Sequence, residues 1–197
     1  MKKFLLLLFI PVFISLSYAD QPAVEKAQGV FLALGVGPRF PVSSFSNTSV
    51  TGYGLNCEIS YTDDECLPFF LFGKFGFEHF AGSNKYYLTS DISNLSTSLY
   101  PISFGARYYF QPILENFMIL IPHIEVSANY CITHYLYEYK IDANKNNYTN
   151  NKNKFGFSVG AGLSIFLVEL LASYNYYSDI QYFSCDLKIR IPLYVNL

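Results

Sequence analysis

The sequence predicts an all-β fold: an eight-stranded antiparallel up-and-down transmembrane β-barrel that follows an N-terminal signal peptide. Three observations predict it. Apolar and polar residues alternate with a period of two in about eight segments. A short apolar export signal precedes them. The connections between the segments alternate in length, which is typical of barrels that cross a membrane.

Residues 1–19 have the organisation of a secretory signal peptide. Lys2 and Lys3 supply a positive start, residues 4–16 form an apolar core, and Ser17 and Ala19 are small residues at the cleavage positions. We therefore expect cleavage after Ala19 and a barrel domain of residues 20–197. The alternative is a membrane anchor, but a spanning helix needs about 20 apolar residues, more than this segment has.

The chain is poor in charge and rich in aromatic residues. Charged residues make up 14% of it, against about 25% in typical soluble proteins. Aromatic residues reach 19%, with 19 Phe, 18 Tyr and no Trp. No later apolar run is long enough for a spanning helix, so the hydrophobicity must be distributed over strands. The net charge of −2 gives no reason to expect nucleic acid as a partner.

The C-terminal segment, residues 187–197, shows the alternation most clearly. Every odd position is apolar, and Lys188 and Arg190 are among the even positions. Successive side chains of a strand point to opposite faces. A Lys or Arg that faced lipid at mid-membrane would cost about 2–4 kcal/mol. We therefore expect the apolar face to meet lipid and the charged face to line an enclosed lumen.

Seven earlier segments repeat this pattern. In chain order, the eight predicted strands are residues 30–37, 53–61, 71–78, 100–110, 118–129, 155–165, 169–176 and 187–197. Most approach the length of about 9–11 residues that crosses a bilayer when tilted. Pro122 and Pro192 lie within the pattern, where each removes a ladder hydrogen bond and allows a β-bulge.

Long and short connections alternate along the chain. Residues 81–98 and 142–154 are long and polar, whereas residues 62–68, 111–116 and 166–168 are short turns. Outer-membrane barrels have short periplasmic turns and long extracellular loops. The pattern therefore predicts that the N-terminus and the C-terminus both lie on the periplasmic side.

A soluble barrel of the lipocalin type is the structural alternative. Its apolar face would point inward and its outer face would be richly charged. Here the polar face is mostly Gly, Ser, Ala and Asn, which suits a narrow lumen. The apolar face carries Tyr and Phe near the strand ends, as in an interfacial aromatic girdle. Both features favour the membrane barrel.

In these patterns the chain resembles small OmpA/OmpX-type outer-membrane β-barrels, the outer membrane protein β-barrel domain family. The resemblance covers residues 29–197 and rests on GVFLALGVG at 29–37, GFSVGAGL at 156–163 and the alternating last strand. It implies an outer-membrane location with contacts to lipid and lipopolysaccharide. It also implies insertion by the barrel-assembly machinery and loops that could meet a surface ligand. Leu197 stands where such barrels usually end in an aromatic residue.

Charged residues of the predicted lumen face are the candidate site. Four acids and four bases share that face, which predicts an ion network inside the barrel, with a histidine as a further member. The predicted members are Glu58, Lys74, Glu78, Arg107, His123, Glu125, Glu169, Lys188 and Arg190. The interior of an eight-stranded barrel is just wide enough for side chains to fill it. This favours a structural filling over a solute or ion channel, which stays as an alternative.

Signals for catalysis, cofactors or metals are weak. His123 and Glu125 could form a base and its orienting group, but a zinc-deaminase partner motif is missing. His79 with Ser83 could suggest a lipid A-modifying enzyme, yet a third orienting group is not evident. The four cysteines fit no metal pattern. We therefore expect a non-enzymatic protein without a cofactor, acting in envelope integrity or surface interaction.

The predicted third loop is the most distinctive of the connections. Residues 144–154 include six Asn, together with Lys145, Lys152 and Lys154. Such a segment buries little apolar surface, so we expect it to be mobile. Its lysines could contact anionic lipopolysaccharide, although a merely solvated loop is the more economical interpretation.

Overall fold

Eight long strands make up most of the fold. The computed structural model describes residues 28–113, 119–143 and 145–196, so the predicted signal peptide, Met118 and Leu197 lie outside the described residues. The strands are β1 (Gln28–Val42), β2 (Gly52–Asp63), β3 (Phe69–Ala81), β4 (Ile92–Tyr109), β5 (Leu120–Tyr139), β6 (Tyr148–Ile165), β7 (Val168–Tyr177) and β8 (Ile180–Asn196).

The strands close into a barrel. Each pairs in antiparallel fashion with its neighbour in the chain, and β1 pairs with β8 to complete the ring. Closure removes the unpaired edges that an open sheet would leave. The predicted fold class, an eight-stranded antiparallel up-and-down barrel, is confirmed.

Among the described residues, three short helical segments lie in the connections. They are α1 (Phe45–Thr48), α2 (Asn84–Thr89) and a 3₁₀ turn (Ile141–Ala143). Among the described residues, no helix has the length and apolar character needed to cross a membrane.

The two ends of the barrel differ. At one, which we call the turn end, lie Gln28, Asn196 and the described parts of the connections that follow β2, β4 and β6. At the other, the loop end, lie the described parts of the connections that follow β1, β3, β5 and β7, together with both α-helices. The three predicted short turns share one end, but the predicted alternation of connection lengths is wrong in part, because ten residues separate β4 from β5 at the turn end and only two separate β7 from β8 at the loop end.

The predicted loops 81–98 and 142–154 are wrong in part, because much of each is strand. Residues 92–98 of β4 pair with residues 134–139 of β5, and residues 133–137 of β5 pair with residues 148–152 of β6. We call these three strand ends the wall. On its inner side the rings of Tyr137 and Tyr148 stack at 4.7 Å, with Tyr135 and Tyr139 stacked beside them. Cross-strand aromatic pairs stabilise sheets, and here they extend the strands into a segment of low strand propensity.

The barrel is polar inside and apolar outside. Among the described residues, 24 polar or charged side chains are buried, against 12 hydrophobic ones. Large apolar residues such as Leu34, Leu55, Phe75 and Val126 are more than half exposed on the outer face. A soluble barrel has the opposite arrangement, so the lipocalin-like alternative does not fit this fold.

The last strand departs from its predicted alternation. Val30 pairs with Tyr194 but Phe31 pairs with Pro192, so Leu193 is the extra residue of a β-bulge. Directly paired residues share a face, and Tyr194 therefore lies on the outer face with Val30. The prediction of strict alternation is wrong beyond Ile191. No register shift accompanies Pro122, so the bulge is found at only one of the two prolines.

Close approach of β1 and β8 gives a testable consequence. A Cβ atom added to Gly37 would lie 1.8 Å from the carbonyl oxygen of Cys185, whereas one added to Gly73 would be 3.4 Å from the ring of Phe104. We expect Gly37→Ala to destabilise the barrel by about 1–3 kcal/mol, since backbone must shift. Gly73→Ala should change stability by less than about 1 kcal/mol. Urea midpoints in detergent micelles measure both, and equal midpoints would contradict the register.

Candidate functional site

The predicted lumen charges meet in a central ion cluster. Its members are Glu58, Lys74, Arg107, Glu125, Glu169, Lys188 and Arg190, all on inner strand faces. Arg107 is its centre and is fully buried. Its guanidinium nitrogens lie 2.8 Å from a carboxylate oxygen of Glu58 and 2.6 Å from one of Glu125.

Other bases complete the pairing of these carboxylates. Lys188 Nζ is 2.8 Å from Glu58 Oε2, and Arg190 Nη2 is 3.0 Å from Glu169 Oε1. Lys74 contacts Glu125 more weakly, at 3.5 Å. A buried charge is costly unless it is paired and hydrogen-bonded. The cluster meets that condition by sharing each carboxylate between at least two bases.

Arg190 also closes the turn end of the lumen. Its guanidinium carbon lies within 5.4–5.8 Å of the ring centres of Phe31, Phe70 and Tyr109. It donates a hydrogen bond to the Tyr109 hydroxyl, which itself donates to Glu169 at 2.7 Å. A cation over aromatic faces is stabilised by the ring quadrupoles. This cage is therefore occupied by the protein's own arginine.

Glu78 lies in a second cluster nearer the loop end. Its Oε1 atom is 2.9 Å from Arg39 Nε, and Arg39 Nη1 is 2.9 Å from Asp186. Arg39 and Asp186 are not among the members predicted from the sequence. Arg39 shares the lumen-facing parity of Gly37, and Asp186 shares that of Lys188. Extending the first predicted strand by two residues and the last by one would therefore have placed both on the lumen face.

A chain of amides and hydroxyls lines the opposite side of the lumen. Ser127 donates to Asn129, Asn129 to Ser158, and Ser158 to the side-chain oxygen of Asn175. Asn175 then donates to Ser184 at 3.1 Å. These bonds join β5, β6, β7 and β8 through side chains as well as through the backbone ladders.

His123 is the predicted member that the structure does not bring into the network. It is buried on the inner face, and its ring lies 5.2 Å from that of Tyr109. In the part of the chain that the structure describes, neither ring nitrogen has a hydrogen-bond partner. His123 and Glu125 therefore do not form the base and orienting group considered from the sequence.

An apolar plug fills the loop end of the lumen. It consists of Phe45, Phe80, Leu99, Cys131, Tyr177, Ile180 and Tyr182. The α1 residue Phe45 packs its ring against that of Phe80 at 5.0 Å. Beneath the plug, between the second cluster and the amide chain, is a cavity of about 20 Å³. That volume is enough for about one water molecule.

The candidate catalytic and metal features do not assemble. His79 bonds Ser98 rather than Ser83, with 3.1 Å between Nδ1 and Oγ. All four cysteines are free thiols. Among the described residues, no three His, Cys, Asp or Glu side chains are grouped to hold a metal ion.

Two lysines of the predicted basic loop are engaged by acids. Lys145 is 2.8 Å from Asp91 and lowers the pKa of that carboxyl through a hydrogen bond. Lys154 is 3.0 Å from Asp179, and its hydrogen bond to that carboxyl lowers the pKa of Asp179. Lys152 lies in β6 and not in a loop. The expectation of a mobile basic loop at 144–154 is therefore corrected to a short connection followed by a strand.

Comparisons with known proteins give similarity of structure only. No protein-family model and no curated protein matches the sequence. The chain is similar to Neisserial surface protein A (14% identity, TM-score 0.48, 84% of this chain and 97% of that one). It is similar to Ail, the attachment invasion locus protein of Yersinia pestis (12% identity, TM-score 0.47, 85% of this chain and 99% of that one). It is also similar to the N-terminal β-barrel domain of Pseudomonas aeruginosa OprF (13% identity, TM-score 0.42, 87% of this chain and 99% of that one). At these identities, residue roles do not carry over.

Removal of the central guanidinium tests the ion cluster. We expect Arg107→Leu to destabilise the barrel by about 3–5 kcal/mol, because it leaves buried carboxylates without their shared partner. Lys145→Leu, which breaks an ion pair whose two side chains are 53% and 64% exposed, should cost less than about 1 kcal/mol. Urea unfolding of both variants measures the difference. A similar midpoint for the two would mean that the cluster contributes nothing specific to stability.

Proposed function

We propose that this protein is a non-enzymatic outer-membrane β-barrel with a filled lumen. On this proposal it acts in envelope integrity or surface interaction through the part that projects from the membrane. The supporting observation is the inverted polarity: a continuous apolar outer face around an interior of paired charges. Water would favour the reverse arrangement, and lipid favours this one.

The apolar band has the height of a bilayer core. On β3 it runs from Phe69 to Phe77, and the paired outer positions of β4 run from Tyr108 to Tyr100. Both stretches are nine residues long, close to the about 9–11 residues of a tilted membrane-spanning strand. Aromatic pairs mark both edges: Phe69 and Tyr108 at 5.0 Å, and Phe77 and Tyr100 at 5.4 Å. Aromatic girdles have this position in outer-membrane barrels.

The sidedness follows from the parts that project. The loop end carries the wall and both α-helices, and the longer, projecting parts of such barrels are extracellular, so the loop end faces outward and the turn end faces the periplasm. The wall then stands outside the membrane. Outer-membrane lipid, lipopolysaccharide and the barrel-assembly machinery are the partners that this placement implies. The signal peptide expected at residues 1–19 would supply the export step.

The wall is built to present a surface. Its inner side is fixed by the tyrosine stack, and Lys140 holds the neighbouring α2 by donating to the backbone oxygens of Tyr87 and Ser90, both at 2.8 Å. Its outer side carries residues such as Asn94, Ser96 and Asn151. A rigid sheet with adaptable hydrogen-bonding groups can bind a partner without a large ordering cost. This supports surface interaction as the role of the projecting part.

The filled interior argues against the channel alternative. The cage around Arg190, the central cluster and the apolar plug succeed one another along the lumen, and the cavity among them holds about one water. A lipid A-modifying enzyme would need a nucleophile with a base and an orienting group. The structure groups no such triad among the residues it describes around His79.

Planar bilayers test the filled lumen. We expect the purified barrel, shown to be folded by a heat-dependent shift in gel migration, to insert without discrete conductance steps. An Arg107→Ala/Glu125→Ala variant shortens a facing acid and base at the centre of the cluster, so its folded form should conduct. Regular steps from the wild-type protein would overturn the proposal of a filled, non-conducting barrel.

Proteases applied to intact cells test the sidedness. We expect trypsin to cut after Lys145, in the connection 140–147, because the loop end is exposed to the medium. A Glu-specific protease should spare Glu65, in the connection 64–68, until the outer membrane is permeabilised. Cleavage at Glu65 in intact cells with protection of Lys145 would invert the topology.

A further inference from the structure

The outer face of β3 to β5 changes from apolar to polar at one row of paired residues. Along adjacent strands β2 to β6 this row consists of Tyr53, His79, Ser98, His134 and Asn151, each paired with the next. We call it the interface row. The outer positions just below it are apolar: Phe77 on β3, Tyr100 on β4 and Ile132 on β5. On β6 the outer position below the row, Asn153, is already polar. The row therefore lies at the loop-end edge of the lipid-facing band.

The row holds every basic side chain on the outer faces of the described strands. Lys and Arg on these strands have lumen parity, as Arg39, Lys74, Arg107, Lys188 and Arg190 do. Of the three histidines, His123 faces the lumen. The other two, His79 and His134, are both in the interface row. Such a concentration is not required by the ion clusters, which lie on the opposite side of the sheet.

The two histidines are held apart by one strand. Both pair with Ser98 of β4, which places their backbones about 10 Å apart at the usual strand spacing. The Nδ1 atom of His79 is 3.1 Å from Ser98 Oγ, and its ring lies between Tyr53, at 5.6 Å, and Phe77, at 6.5 Å. This leaves its Nε2 atom for an external partner. In the residues that the structure describes, no hydrogen bond occupies the ring of His134.

We propose that the interface row binds the headgroup of a phosphorylated glycolipid, with His79 and His134 each contacting one phosphate of a bis-phosphorylated disaccharide. Ser98 and Asn151 lie between and beside them, where they can bond sugar hydroxyl and amide groups. An imidazole donates to phosphate oxygen whether neutral or protonated, and carries a positive charge when protonated. The acyl chains of the same lipid would lie on the apolar band below.

The spacing of the two histidines and the position of the row at the loop end favour a glycolipid. A glycerophospholipid presents one phosphate, whereas the row offers two donor sites separated by a strand with hydrogen-bonding groups between. The inference depends on the proposed outer-membrane placement, because that placement puts the loop end in the leaflet where lipid A is found. A failure of the glycolipid inference can be distinguished from a failure of the outer-membrane placement, because folding and membrane insertion are measured independently of lipid binding.

The experiment uses the folded barrel in detergent micelles, titrated with bis-phosphorylated lipid A and followed by native mass spectrometry. Dephosphorylated lipid A and phosphatidylglycerol are the comparison lipids. The variant is His79→Leu/His134→Leu. The matched control is Gln181→Leu, a polar outer-face residue of β8 whose neighbours include Tyr174. Heat-dependent gel migration confirms that each protein is folded.

We expect the wild type and Gln181→Leu to retain one lipid A through detergent exchange. The double variant should bind it at least about tenfold more weakly, as expected for the loss of two bonds to charged groups. Dephosphorylated lipid A and phosphatidylglycerol should bind the wild type as weakly as lipid A binds the double variant. Unchanged affinity in the double variant, or equal affinity of the wild type for the three lipids, would overturn the inference while leaving the barrel's membrane placement intact.

Discussion

The pairing of charge inside the barrel is the constraint on which the rest of the structure depends. An outer face that meets lipid cannot carry Lys or Arg, so every such residue on the strands must point inward. Once inside, each needs a partner. The two clusters hold five bases and five acids: Arg39, Lys74, Arg107, Lys188 and Arg190 with Glu58, Glu78, Glu125, Glu169 and Asp186. This balance leaves the two clusters together without net charge.

The same clusters brace the ring across its diameter. Backbone ladders join each strand only to its neighbours, whereas Arg107 on β4 contacts Glu58 on β2 and Glu169 on β7. Lys188 on β8 likewise contacts Glu58. Such contacts resist flattening of the barrel, because any change of cross-section separates buried opposite charges. Structural bracing and occlusion of the lumen are therefore two effects of one arrangement.

The period-two pattern predicted the strand number, the faces and every member of the central cluster, because lipid on one side and a narrow lumen on the other impose strict alternation. It missed what alternation does not encode. The bulge at Leu193 comes from Pro192 and the pairing of β8 with β1, which moves Tyr194 to the outer face. The wall forms because tyrosines of β5 pair with the start of β6, an Asn-rich segment whose composition is typical of a loop. His123 had the right parity, but parity places a side chain on a face without giving it a partner.

The wall differs from the barrel in what its polar groups are free to do. Inside the barrel, Arg107 pairs with Glu125, and Asn175 bonds Ser158 and Ser184. In the wall, β6 residues 148–155 pair with β5 but, within the described residues, not with β7, whose pairing begins at Gly156. Lysine on such an edge opposes pairing with other strands, and Lys152 has that position. Polar groups that face outward are thus concentrated in the wall and along the interface row. A partner outside the barrel can reach these groups, whereas it cannot reach the paired charges of the closed lumen.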